Sequence, residues 1–185
     1  EHIHQVEIAA LKLFDALRKA NHLTKKDRLL LQIAAILHNC GSFLNLNDIG
    51  ENSYKIVTST EIIGLSHLER EIIANVVRYN IRDFDYDMMQ LETEAGQVLA
   101  GVSDRTAITI LIAKLTAILR LANSMDKTHK AKLIDSRMAV RDGRLVITTG
   151  YQGDLALESA SFEQKAAFFE EIFGIRPVLK QKRRV

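Results

Sequence analysis

Four polar side chains stand where an apolar helical stripe is expected. His2 precedes Val6 by one turn. His38 follows Leu31, Ala34 and Ala35. Asn80 ends the stripe Ile73, Val76 and Val77, and Asn123 interrupts a long apolar run with Leu119, Arg120, Asp126 and Lys127 a turn to either side. Burying an unpaired amide or imidazole costs about 1–3 kcal/mol, so such residues either bond one another or line a wet cavity. An imidazole can bind metal or move a proton, and an amide can meet phosphate through its NH2 group. Each has a plainer reading when taken singly: a satisfied core histidine, or, for Asn39 beside Gly41 and for Asn80, a residue that ends its helix. Arg120, Asn123 and Lys127 share one helix face and predict a cationic lip, unless Arg120 pairs with a neighbouring carboxylate.

Other chemistry is missing from the pattern. The chain has no Gly-rich phosphate loop, no His-Glu-x-x-His pair and no nucleophile elbow. The one cysteine, Cys40, allows neither an intramolecular disulfide nor a thiolate cluster, as expected for a reducing, cytoplasmic setting. The net charge is +2, and Lys180, Lys182, Arg183 and Arg184 in the tail leave the body at −2. The tail reads as a frayed, solvated terminus that can touch a phosphate chain. Basic residues are not interleaved with aromatics, so nucleic acid is not the expected partner. Tyr54 and Tyr79 are expected to pack rather than stack on bases.

The elements that must position these residues are mostly helical. Val6, Ala9, Ala10, Leu13, Phe14 and Leu17 mark an amphipathic helix over 2–20. Thr24 with Asp27 and Ser66 with Glu69 read as capped starts. Gly41 is expected to end the second helix in a left-handed conformation. A short helix over 53–58, a broken one over 86–100 and a long apolar one from Asp104 to Lys127 follow. Past residue 132 the character changes: strand, Asp142-Gly143 turn and strand, then a helix opened by Ser161 and Gln164, then a strand over 177–182. The prediction is a single, soluble, mostly α domain: a helical bundle over 1–132 and a small α+β appendage over 133–185. No apolar run reaches the ~20 residues of a membrane span. A start at Glu1 rather than Met is expected of a piece of a longer protein.

His2 with Val6 and Ala9, followed by Ala34-Ala35-Ile36-Leu37-His38-Asn39-Cys40-Gly41, resembles the opening of an HD-type phosphohydrolase domain. More closely, the chain resembles the C-terminal HD-like domain of the exopolyphosphatase/guanosine pentaphosphate phosphatase (Ppx/GppA) family. Leu13-Phe14-Asp15, Ser53-Tyr54, Gly64-Leu65-Ser66, Glu69, Arg78-Tyr79-Asn80 and Leu119 to Asp126 carry that match. The HD pattern implies two histidines and two aspartates around a divalent metal. Here Asn39 and Asn123 stand where the aspartates are expected, Asn80 stands for a histidine, and Ile49 to Asn52 replaces a His-rich stretch. Among the metal-type positions His2, His38, Asn39, Asn80 and Asn123, only the two histidines keep the family residue.

Exchanging two aspartates for asparagines takes the formal ligand charge from −2 to zero, and hard divalent cations need anionic oxygen. The expectation is a degenerate site that binds no metal and catalyses nothing. The resemblance implies an accessory role: dimerisation, packing on actin-like N-terminal phosphatase domains, and holding polyphosphate or a guanosine polyphosphate. Arg78, Arg82, Arg120 and Lys127 are the phosphate candidates. The alternatives are a hydrolase using Mg or Mn, with Glu51 or Asp126 (less favourably Asp48 or His67) as substitute ligands, and a pure dimerisation module.

Overall fold

A computed structural model describes residues 1–44, 46–87, 89, 91 and 102–182. The bundle comprises α1 (His2–Leu17), α2 (Lys25–Leu37), a 3-10 turn (Cys40–Phe43), α3 (Ile49–Ser59), α4 (His67–Ile81) and α5 (Val102–Ser124). The appendage follows as β1 (Arg137–Arg141), β2 (Arg144–Thr149), α6 (Ala156–Phe173) and β3 (Arg176–Gln181). Both capping boxes form. Thr24 and Asp27 exchange side-chain and backbone bonds at the start of α2, and Ser66 and Glu69 do the same at α4. Lys26 also pairs with Glu69, holding its carboxyl below the usual range and tying α2 to the first turn of α4.

α1 buries Val6, Ala10, Leu13, Phe14 and Leu17, the predicted stripe. It packs on α2 and α5, while α4 packs on α2, α3 and α5. By length and composition the 104–124 stretch of α5 would suit a membrane span after all. It packs on α1, α2, α4 and α6, however, and fully buries Ile112, Leu115, Ile118 and Leu121 in the core. The predicted helix over 86–100 largely falls outside the described residues, and those described between Asp83 and Leu91 are not helical.

Three local expectations are corrected. Gly41 does not adopt a left-handed conformation; it lies in the 3-10 turn, where a Cβ would come within 2.3 Å of the Ile49 carbonyl oxygen. Closeness to α3, rather than dihedral freedom, is what requires glycine there. α6 begins at Ala156, whose N–H is met by the Asp154 carboxylate, so Ser161 is a mid-helix residue and not a cap. The tail is not frayed as far as Lys182: β3 is paired, and the Lys182 N–H donates to Thr149. Arg183 and Arg184 lie outside the described residues.

β1 and β2 form an antiparallel hairpin whose Asp142 and Gly143 both take positive φ, at 49° and 68°, as a tight primed turn demands. β3 joins β2 in parallel after α6 crosses over. Leu145 and Ile147 face inward and are fully buried. Phe162 and Phe169 of α6 belong to the same apolar cluster as Phe14 and Leu31 of the bundle.

Candidate functional site

Four helix ends meet at one pole of the bundle: the first turn of α1 and the last turns of α2, α4 and α5. Between them and α6 lies a cleft of about 330 Å³ lined by His2, His38, Asn39, Asn80, Ile81, Arg120, Asn123, Ser124, Lys127, His129, Ser161 and Lys165. All five metal-type positions of the resembled pattern are therefore gathered in one place, together with Arg120 and Lys127.

The histidines are held individually. His38 is buried at the end of α2, and its Nδ1–H donates to the Ala35 carbonyl at 2.6 Å, satisfying one of that helix's terminal oxygens. Burial pushes its pKa below the ordinary histidine value, against the carbonyl bond, and nearby His2 and His129 lower it further. His2 Nδ1 donates to Asp126 Oδ2 at 2.8 Å, and Asp126 Oδ1 accepts from the Ala131 N–H at 2.8 Å. The His2 ring stacks on His129 at 3.9 Å and meets His38 edge-on at 5.6 Å.

Arg120 forms the wall toward α4 and α6. Its Nε donates to the Tyr79 carbonyl at 2.7 Å, Nη2 donates to the Arg82 carbonyl, and its guanidinium lies 4.5 Å from the Phe168 ring centre. It thus closes the α4 C-terminus through carbonyls. Among the described residues no carboxylate comes within ion-pair distance of it, so the carboxylate pairing considered from sequence does not form. Burial lowers its pKa. Lys165 of α6 is also lowered, first by burial and then by repulsion from Arg120 and Lys127, with Asp83 opposing.

The electrostatic balance follows from this list. The C-termini of α2, α4 and α5 bring roughly half a negative charge each. Arg120, Lys127 and Lys165 bring three full positive charges, and no described lining residue is acidic. The side chains that line the cleft are therefore cationic before any histidine takes a proton, with Asp126 behind His2 and Asp83 near Arg120 and Lys165 as the opposing charges.

The remaining predicted residues lie elsewhere. Arg78 and Arg82 both clamp Glu51, at 2.7 and 2.9 Å, and Arg78 also sits 4.8 Å over the Tyr54 ring. Arg78 lies on α4 and Arg82 just past its end in extended backbone, and both reach Glu51, whereas Asn80 is about 200° round the helix from Arg78 and lines the cleft. Gly50 lets this crossing close: a Cβ there would meet the Arg78 carbonyl oxygen at 2.8 Å. Glu51 is consequently neutralised by two guanidiniums outside the cleft. Asp126 lies behind His2 with both oxygens engaged. Asp48 caps α3 through the Glu51 N–H, and His67 lies near Glu71 at the far end of α4. None of the four substitute ligands lines the cleft.

A hard divalent cation does not fit this donor set. The amides of Asn39 and Asn123 stand where the resembled pattern has carboxylates, and Arg120, Lys127 and Lys165 line the same cleft. Among the described residues no three His, Cys, Asp or Glu side chains are arranged to hold a metal ion.

Sequence reasoning missed His129, Ser161 and Lys165. Ser161 and Lys165 are one turn apart and share a helix face, a faint signal. His129 follows the last helical turn in a polar stretch with no periodicity, and its positive φ of 55° is set by the loop.

The model of one family, Ppx/GppA phosphatase, domain III, matches residues 1–165. A search of curated proteins returns no match. The match takes in the whole bundle, every residue of the cleft and most of α6, and the chain belongs to the Ppx/GppA phosphatase family as its domain III.

Proposed function

We propose that this chain is an accessory, non-hydrolytic domain of a Ppx/GppA-type phosphatase, which holds phosphate groups of a polyphosphate or guanosine polyphosphate while other domains of the parent protein do the chemistry. The observation that carries the reading is the composition of the cleft: Arg120, Lys127 and Lys165 with amides and imidazoles, and no carboxylate among its described lining residues. Hydrolysis at an HD-type site requires a metal-bound hydroxide, and the two carboxylates that would help anchor the metal are amides here, with only the two histidines kept. The same exchange removes the negative charge that would repel a phosphate.

Dimerisation and packing on actin-like domains belong to the same proposal. Phe43, Leu44 and Leu46 are largely exposed beside the 3-10 turn, and Ile63 is 98% exposed at the α3–α4 turn. Apolar side chains left in water this way suit a covered face in the parent protein.

A calorimetric titration of the chelator-treated chain with manganese, followed by one with long-chain polyphosphate, tests the reading. The expected result is no manganese heat, and polyphosphate binding that weakens steeply as salt is raised. Stoichiometric manganese binding with phosphate release, or no polyphosphate binding at low salt, would overturn it.

A further inference from the structure

The cleft differs chemically between floor and mouth. Lys127 and His129 are exposed at the mouth, and Lys165 is half-buried. His38 and Asn80 are 2% and 3% exposed and form the floor. Both polar atoms of the Asn80 amide, Nδ2 and Oδ1, are buried with no hydrogen-bond partner among the described residues. A buried amide is normally satisfied on both sides, so a vacant donor and a vacant acceptor side by side describe what the occupant must offer.

We propose that the cleft takes a phosphate ester whose organic head donates hydrogen bonds, a nucleotide or a sugar phosphate, in preference to a bare phosphate chain. This rests on the reading of the cleft as a phosphate-holding site and specifies its ligand. A phosphate chain presents acceptor oxygens along its length. It satisfies Asn80 Nδ2 and the cations but leaves Asn80 Oδ1 facing further oxygens. His38 sharpens the mismatch: its Nδ1–H is taken by Ala35, so the neutral ring has only the acceptor Nε2 to offer. Asn80 Oδ1 and His38 Nε2 call for ligand N–H or O–H groups, and the two Asn80 Nδ2 protons call for acceptors; a nucleobase or a sugar ring supplies both. The phosphate then lies toward Arg120, Lys127 and Lys165. A volume of about 330 Å³ is at the lower end of the range for small-molecule sites and suits a ligand of one base or one sugar with its phosphates.

The test is calorimetric titration of the chain with guanosine 5′-diphosphate, glucose 6-phosphate and inorganic triphosphate at one ionic strength, repeated on Asn80→Leu. At least one organic phosphate is expected to bind ten or more times tighter than inorganic triphosphate, despite its lower charge. The two organic probes separate a nucleotide from a sugar phosphate. Asn80→Leu is expected to bring the preference within about twofold, because an organic probe loses its contacts to both Oδ1 and Nδ2 while triphosphate loses only the Nδ2 contact. If Asn80→Leu does not fold, Asn80→Ala carries the same comparison. Triphosphate binding as tight as both organic probes, or an equal loss of all three on substitution, overturns the proposal while leaving the phosphate-holding role intact. Failure of all three probes and of long-chain polyphosphate to bind overturns both.

Discussion

Asn39 and Asn123 differ from aspartate by one atom each, yet at this position that atom decides the sign of the cleft. A carboxylate about 8 Å from a bound phosphate, at an effective dielectric near 20, opposes it by about 2 kcal/mol. Replacing both amides by carboxylates, in Asn39→Asp with Asn123→Asp, therefore should weaken phosphate binding at least tenfold. It should also restore an anionic pair beside His2 and His38, so the same variant is expected to take up manganese where the parent chain does not. Titrating both proteins with triphosphate and with manganese measures each half separately, and unchanged phosphate affinity with no manganese uptake would contradict the assignment of this cleft. Asn123, like His2, His38 and Asn80, was legible in the sequence because it violated an apolar stripe, which is a local signal, whereas Asn39 was legible only through the family resemblance. Lys165 and His129 violated nothing. A lysine on an amphipathic helix and a histidine in a polar loop look like ordinary surface, and only the docking of α6 and the turn after α5 place them at the mouth. Arg78 and Arg82 lie outside the cleft for the converse reason: their charge was visible, but their pairing with Glu51, from another helix, was not.

At the scale of elements, the cleft depends on how closely the α2–α3 connection folds back. The Gly41 N–H donates to Ser53 Oγ at 2.8 Å, and a Cβ on Gly41 would stand 2.3 Å from the Ile49 carbonyl oxygen and 2.6 Å from the Ser53 nitrogen. Both are backbone atoms and cannot swing aside, so the methyl must push α3 away from the end of α2. Gly41→Ala is expected to cost about 1–3 kcal/mol, as overpacking of a tight site does, and to loosen the His38–Asn39 wall of the cleft. The checks are the denaturant midpoint and the triphosphate affinity, both of which should fall; a variant as stable as the parent would show that α3 is not held there. The helix starts at Thr24 and Ser66 were readable because a capping box is written in residues three apart. The start of α6 was not, because Ser161 and Gln164 imitate that spacing within the helix while the real signal, Asp154 before Ala156, is a shorter one. Gly41 was readable as special but for the wrong reason, since close approach to a distant backbone leaves no mark on neighbouring residues.

At the scale of the molecule, the question is whether the appendage is a separate unit or part of the bundle. Composition placed a boundary near residue 132, where apolar helix gives way to strand and turn. The packing argues that no boundary of stability coincides with it. Phe162 and Phe169 are fully buried in the cluster that contains Phe14, Leu31 and Ile118. Glu158 at the start of α6 is buried and bonded to Thr128 and Lys132, from the loop after α5; burial alone would raise its carboxyl pKa, and those bonds, a backbone N–H and the Lys132 charge together outweigh it and hold it low. Lys165 on the same helix completes the cleft. If α6 is a structural member of the bundle, removing one of its buried rings must destabilise the whole. Phe169→Ala is expected to cost about 3–5 kcal/mol, with helix content and the tyrosine signal of the bundle lost in one coincident transition at lower denaturant. An appendage that is an independent unit would instead melt first, leaving the helical signal of α1 to α5 at its original midpoint. The two outcomes differ in the number of transitions as well as in their position. A single shifted transition would mean that the phosphate-holding cleft, built from both parts, forms only when both have folded.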